Sequence, residues 1–257
     1  MKVLQFFYNG LLTGMPSIVY NPFTRANIHV PFNIGPKSLY INYKLEPYQV
    51  AKINDFLLEK NSNLILQPVQ LESQCDPDYY LSLNIYNCTS PVFMNDKETT
   101  RFEINTYVSD CEKNGTLILD YLSNELSIDP VNIFKRLSSV KYNKTMIQAT
   151  SLRQNITLKG NLNISENDKQ YNISDDLIHF SDNIFYTNGI FDKLFYDTSL
   201  IRAVTKTPSI ENLQFNFLNI SFTNVSSVFY FENNINFVGG VWYNIFKPPK
   251  AIRCSLN

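Results

Sequence analysis

The sequence predicts an α+β chain dominated by antiparallel β-structure, and three observations carry that reading. Phe and Tyr number 19 and 16 among 257 residues, an enrichment that suits strands. Hydrophobic residues make up 44% and charged residues 18%, enough to fill a sizeable core. The order of segments is strands, a helix, then many strands, which disfavours a parallel βαβ sheet. The length lies within the range of a single barrel or sandwich, so residues 1–257 are expected to form one domain.

Taken in order, Lys2 and the apolar residues after it have the outline of a leader. Asn9, Gly10 and Thr13 interrupt the stretch and no small-residue cleavage pattern follows. Residues 1–15 are therefore expected to open the fold as a short strand or helix. Residues 20–36 are turn-rich. Over 38–44, Leu39, Ile41 and Tyr43 alternate with Tyr40 and Asn42, as in a strand. Glu46-Pro47 opens a helix with Pro in the first turn, where its missing N–H costs nothing. Val50, Ile53, Phe56 and Leu57 share one helical face, and 61–63 end the helix. Residues 64–71 and 79–86 read as strands.

Residues 99–108 form the most informative strand. Phe102, Ile104, Thr106 and Val108 point one way, and Arg101, Glu103, Asn105 and Tyr107 the other. Such a polar row suits either a wet outer face or the lumen of a closed barrel that binds a polar ligand. Asn114-Gly115 is a hairpin-turn signal, with 116–122 returning. Asp129-Pro130 starts a second helix carrying Val131, Phe134 and Leu137. Residues 140–152, 155–162, 213–222 and 227–237 read as strands. Gly239-Gly240 is expected to bend the chain before 241–246. Residues 169–192 fit no single class.

Composition excludes several functions. A net charge of −1 without a basic run excludes the footprint of a nucleic-acid binder. No stretch reaches the length of a membrane-spanning helix. There is no phosphate-binding loop, GxGxxG or GxSxG. His29 and His179 are the two histidines, which disfavours a histidine triad or a three-histidine metal site. Cys75, Cys88, Cys111 and Cys254 make no CxxC pair and read as reduced thiols of a cytoplasmic protein. Asn87, Asn114, Asn143, Asn155, Asn163, Asn172, Asn219 and Asn224 begin N-x-S/T triplets, which an asparagine-rich chain also makes by chance. No metal and no cofactor are expected. The expected partner is a small molecule, with neither nucleic acid nor membrane, and a homo-oligomer stays open.

A chain poor in histidine can still carry lysine chemistry. A desolvated amine loses its proton more readily, attacks a carbonyl and forms a Schiff base. Lys135 lies beside Arg136, whose charge would favour the neutral amine, and Lys141 lies between Val140 and Tyr142. An ordinary solvated lysine is the plain reading of either.

Three passages together resemble the acetoacetate decarboxylase-like superfamily. The run from Ser38 to Val50 is similar to its strand followed by a short helix, and 61–69 to its next strand. Tyr121-Leu-Ser-Asn124 is similar to a Tyr-Leu-x-Asn strand end, after which 127–135 would be the helix before the lysine. The resemblance covers roughly the first 150 residues and implies a cone-shaped β-barrel with a few short helices. It implies an enzyme acting on a small oxo-acid or related carbonyl compound through a Schiff-base lysine. The family's Lys-Lys pair, usually preceded by Pro, is replaced here by Lys135-Arg136 or a single Lys141. Counting from the helix favours Lys141, and the adjacent cation favours Lys135. Arg101 would hold a carboxylate with Asn105 beside it, and Glu103 would orient substrate or carry protons. The alternative is a non-catalytic barrel that binds a small apolar ligand.

Overall fold

The computed structural model describes residues 26–34, 37–59, 64–72, 75–89, 98–109, 114–123, 138–143, 145–151, 155–163, 185–187, 191–195, 205–206, 208–231 and 235–243. Among them lie sixteen strands and one helix. The expected opening element at 1–15 and the helix at Asp129-Pro130 lie outside the described residues.

The helix, α1 (Pro47–Glu59), starts as the sequence predicts. Glu46 N–H donates to Gln49 Oε1 at 2.8 Å, and Gln49 N–H donates to the Glu46 carbonyl at 2.8 Å. This capping arrangement satisfies donors that the first turn leaves open. Ile53 and Leu57 are fully buried, and Val50 and Phe56 pack partly against the same core. The predicted apolar face is the buried face.

The first group of strands comprises β1 (Ala26–Ile34), β2 (Ser38–Lys44), β3 (Ile65–Leu66), β4 (Tyr80–Thr89), β5 (Thr99–Ser109) and β6 (Asn114–Ser123). Then come β7 (Ser138–Tyr142), β8 (Met146–Ser151) and β9 (Ile156–Asn163). The last are β10 (Phe185–Thr187), β11 (Phe191–Phe195), β12 (Thr205–Lys206), β13 (Ser209–Phe217), β14 (Ile220–Phe222), β15 (Val225–Phe231) and β16 (Ile235–Tyr243). They form two sheets, one of eleven strands and one of five in the order β14-β13-β9-β8-β7. Every pairing is antiparallel except β6 with β10. The α+β, mainly antiparallel class is thus the observed one. The described strands make two sheets rather than one closed barrel, although the larger curls back on itself. Its strand β4 pairs with β5 along one side, and along the other with β2 and then, at Cys88 and Thr89, with β1. From β1 the pairings run through β16, β11, β10 and β6 back to β5.

Several predicted boundaries are corrected. Strand pairing at 64–71 shrinks to Ile65–Leu66 and a single bridge between Val69 and Asp78. The expected strand 140–152 is a hairpin, because Asn143 Oδ1 accepts from Thr145 N and Met146 N, both at 2.9 Å. That side chain replaces a strand partner and reverses the chain. The expected strand 213–222 also turns, at Leu218 and Asn219, which have φ of 51° and 58°. Two positive φ values in a two-residue loop match the twist of a hairpin. The expected strand 227–237 is divided between β15 and β16. Asn114 and Gly115 pair with Ser109 and Val108, so they belong to strand β6 and not to a turn. Gly239 and Gly240 do not end a strand. They pair with Val30 and His29 inside β16, where a partner distant in sequence fixes the extended backbone.

The core lies between the two sheets. Leu39, Ile41, Tyr43, Leu81, Leu83, Ile85, Phe102, Ile104 and Val108 of the large sheet meet Val140, Ile147, Ala149, Leu158, Phe215 and Phe222 of the small one, with α1 alongside. Tyr43, Phe102 and Phe222 surround Phe215, with ring centroids 5.7, 6.2 and 5.2 Å from it. Burying one such ring stabilises the fold by about 1.5–3 kcal/mol. In the small sheet β9 alternates strictly between buried and exposed, so its outer face is wet. By contrast β5 is buried at every position except Thr100, which is half-buried.

Candidate functional site

That double burial decides which face Arg101, Glu103 and Asn105 occupy. Each is 3% exposed, so the wet-surface reading is excluded. They lie on the face of the large sheet opposite the apolar core. Neighbouring strands extend the polar row by register. Glu103 faces Asn84 of β4, which faces Tyr40 of β2. Asn105 faces Ser82, and Ser82 faces Asn42. Arg101 faces Tyr86. Beside this row β5 and β6 shift register between Ile104 and Asn105, with Leu119 the extra residue. Such a bulge re-aims side chains locally.

Glu103 is the centre of the cluster. Its Oε1 accepts from Tyr86 OH at 2.5 Å and from Arg101 Nη2 at 3.2 Å. Its Oε2 accepts longer bonds from Asn105 Nδ2 at 3.4 Å and Asn84 Nδ2 at 3.5 Å. A carboxylate offers about four acceptor positions, so these donors fill it. Asn84 Nδ2 also donates to Tyr40 OH at 2.9 Å, and the Arg101 guanidinium carbon lies 5.7 Å from the Tyr86 ring centroid. Burial, with the Glu103 charge nearby, raises the Tyr40 phenol well above its usual range. A second chain continues from there. Ser82 Oγ donates to Asn42 Oδ1 at 2.5 Å, Asn42 Nδ2 donates to Ser227 Oγ at 3.1 Å, and Ser82 Oγ lies 3.2 Å from Tyr107 OH. Burial pushes the Tyr107 phenol up to about 12.

The structure brings together the predicted Arg101, Glu103 and Asn105. Lys141 is not brought to them. Its neighbour Val140 points into the core, and Lys141 is exposed on the outer face of β7 in the small sheet. Lys135 lies outside the described residues. Asn84, Tyr86 and Ser82 are members that the sequence reading did not single out. Their signal was present, since polar residues alternate with Leu81, Leu83 and Ile85 in 79–86 just as they do in 99–108. No cluster of His, Cys, Asp and Glu able to hold a metal occurs among the described residues, and no described helix is long and apolar enough to cross a membrane.

No protein-family model matches the chain, and no curated protein matches it. Solved structures do. The chain is similar to an acetoacetate decarboxylase from Legionella pneumophila, with a TM-score of 0.44 at 10% identity over 90% of each chain. It is similar to an acetoacetate decarboxylase-like enzyme from Sphingomonas wittichii RW1, with a TM-score of 0.44 at 8% identity over 84% of this chain and 91% of that one. The enduracididine biosynthesis enzyme MppR, complexed with pyruvate, follows with a TM-score of 0.39 at 9% identity over 90% of this chain and 92% of that one.

Proposed function

We propose that the buried polar face around Arg101, Glu103 and Asn105 binds a small oxo-acid or related carbonyl compound, and that the chain acts on it as an acetoacetate decarboxylase-like enzyme. The observation that carries this reading is the burial of an ion pair within a network of side-chain amides and phenols. Desolvating two charges costs several kcal/mol per ion, and well-packed apolar residues stabilise such a position as well or better. A face kept polar at that cost has a use beyond stability. Arg101 binds the carboxylate, because a guanidinium fork matches two carboxylate oxygens. Asn105 lines the site. Glu103, its acceptor positions filled, acts by holding Arg101 and the two amides in place. The polar lining also argues against a small apolar ligand.

In this reading the Lys135 amine attacks the substrate carbonyl and water leaves, giving an imine. Loss of CO2 from the imine of a 3-oxo acid, or of a proton from the carbon beside the imine of a 2-oxo acid, sends the electron pair into the C=N bond and gives an enamine. Protonation at carbon and hydrolysis then release product and free amine. The exposure of Lys141 favours Lys135 over it.

The test is borohydride reduction of the full chain with pyruvate or acetoacetate, read by intact mass and peptide mapping. An adduct on Lys135 is the expected result. An adduct on Lys141 would move the nucleophile. If the folded chain binds the oxo-acid without an adduct, the Schiff-base step is refuted and binding stands alone.

A further inference from the structure

Two acceptors in the cluster have no hydrogen-bond partner among the described residues, Asn84 Oδ1 and Asn105 Oδ1, and both residues are buried, at 4% and 3% exposure. Their orientation is dictated by chemistry. Both amides border Glu103 Oε2, which can only accept, so each must present its NH2 there. Turning either amide over would set a carbonyl oxygen against a carboxylate oxygen. Each carbonyl oxygen is therefore turned away from Glu103 Oε2 and stays buried. A buried acceptor without a donor is costly, and nearly all such groups find one.

On the reading that this face is the ligand site, we infer that its ligand carries a hydrogen-bond donor, a hydroxyl or amino group, in addition to its carboxylate and carbonyl. The site then distinguishes hydroxy- or amino-substituted oxo-acids from plain ones. Discrimination of this kind is strong, because an analogue without the donor leaves the buried oxygens unpaired. The charges fit. Arg101 supplies the positive group for the carboxylate, and the two amide oxygens supply neutral acceptors that hold an O–H or N–H without adding charge.

The experiment compares three probes by titration calorimetry on the full chain: hydroxypyruvate, pyruvate, and α-ketobutyrate, in which a methyl group stands where hydroxypyruvate has its hydroxyl. Hydroxypyruvate is expected to bind about tenfold or more tighter than either of the others. The ratio is expected to shrink in Asn105→Leu, and because it is a ratio it is insensitive to a uniform loss of affinity. Equal binding of all three would overturn the inference, assigning the two oxygens to water, while the oxo-acid site would stand. Binding of none would overturn the site reading and this inference with it.

Discussion

The Arg101–Glu103 pair makes the sharpest prediction, because the same contact has very different worth in water and in a buried face. Both side chains are nearly inaccessible, at 3% and 4%, with Nη2 and Oε1 3.2 Å apart. Arg101→Met leaves the Glu103 carboxylate with neutral donors only. Glu103→Gln leaves the guanidinium without that counter-charge. Removing one partner of a buried pair costs about 3–5 kcal/mol. At about 2–4 °C per kcal/mol for a chain of this size, each single variant loses on the order of 6–20 °C in Tm.

The double variant separates pair energy from mere packing. Arg101→Met with Glu103→Gln removes both members of the ion pair, and Gln Oε1 still accepts from Tyr86. Its Nε2 then faces Asn84 and Asn105, whose carbonyls become free to turn towards it. The pair is therefore expected to cost less than the sum of the singles by about 2 kcal/mol or more. The assay is urea unfolding of the four proteins, with matching Tm values. Singles within about 1 kcal/mol of the parent, the range of exposed ion pairs, would refute the argument. The face would then be solvated.

Two further outcomes follow from particular groups. Tyr107 is pushed up to about 12 by burial, above the ordinary phenol value of 10.0, so the folded state holds its proton longer than the unfolded chain does. That contribution to stability is complete below about pH 10 and is lost as the pH rises towards 12, amounting to about 2–3 kcal/mol. Unfolding free energies across this range measure it, and a flat profile in which every tyrosine titrates early would contradict it. Asn219, at φ 58° in the β13–β14 turn, is expected to lose about 1 kcal/mol as Asn219→Ala and to be near neutral as Asn219→Gly. Thermal melts of the two variants check the difference, and equal melts would mean the turn relaxes away from positive φ.

Much of the large sheet was legible because its strands obey a two-residue period. Leu39, Ile41 and Tyr43 predicted the buried face of β2, and Phe102, Ile104 and Val108 that of β5. The helix was legible from Pro47 and the spacing of Ile53 and Leu57. Where the reading failed, something non-local or unusually local decided. The reversal at Asn143 rests on one side chain accepting from the backbone two and three residues ahead, which hydropathy does not register. Gly239 and Gly240 look like a bend until β1 supplies the partner that keeps them extended.

The site was half legible for a related reason. Periodicity separated Arg101, Glu103 and Asn105 from the core side of their strand. It left both a wet face and a lumen open, because one strand cannot report what covers its second face. Three strands read together come closer: β2 alternates with Tyr40 and Asn42, β4 with Ser82 and Asn84, and β5 with Glu103 and Asn105, and register sets these side by side. A solvated face would be expected to carry lysines and glutamates freely. This one carries amides, hydroxyls and phenols around the Arg101–Glu103 ion pair, the composition of groups that must satisfy one another away from water. Nothing in that pattern pointed to a lysine. Lys141 entered from its distance along the chain, and distance along the chain does not say which sheet, or which face of it, a side chain will occupy.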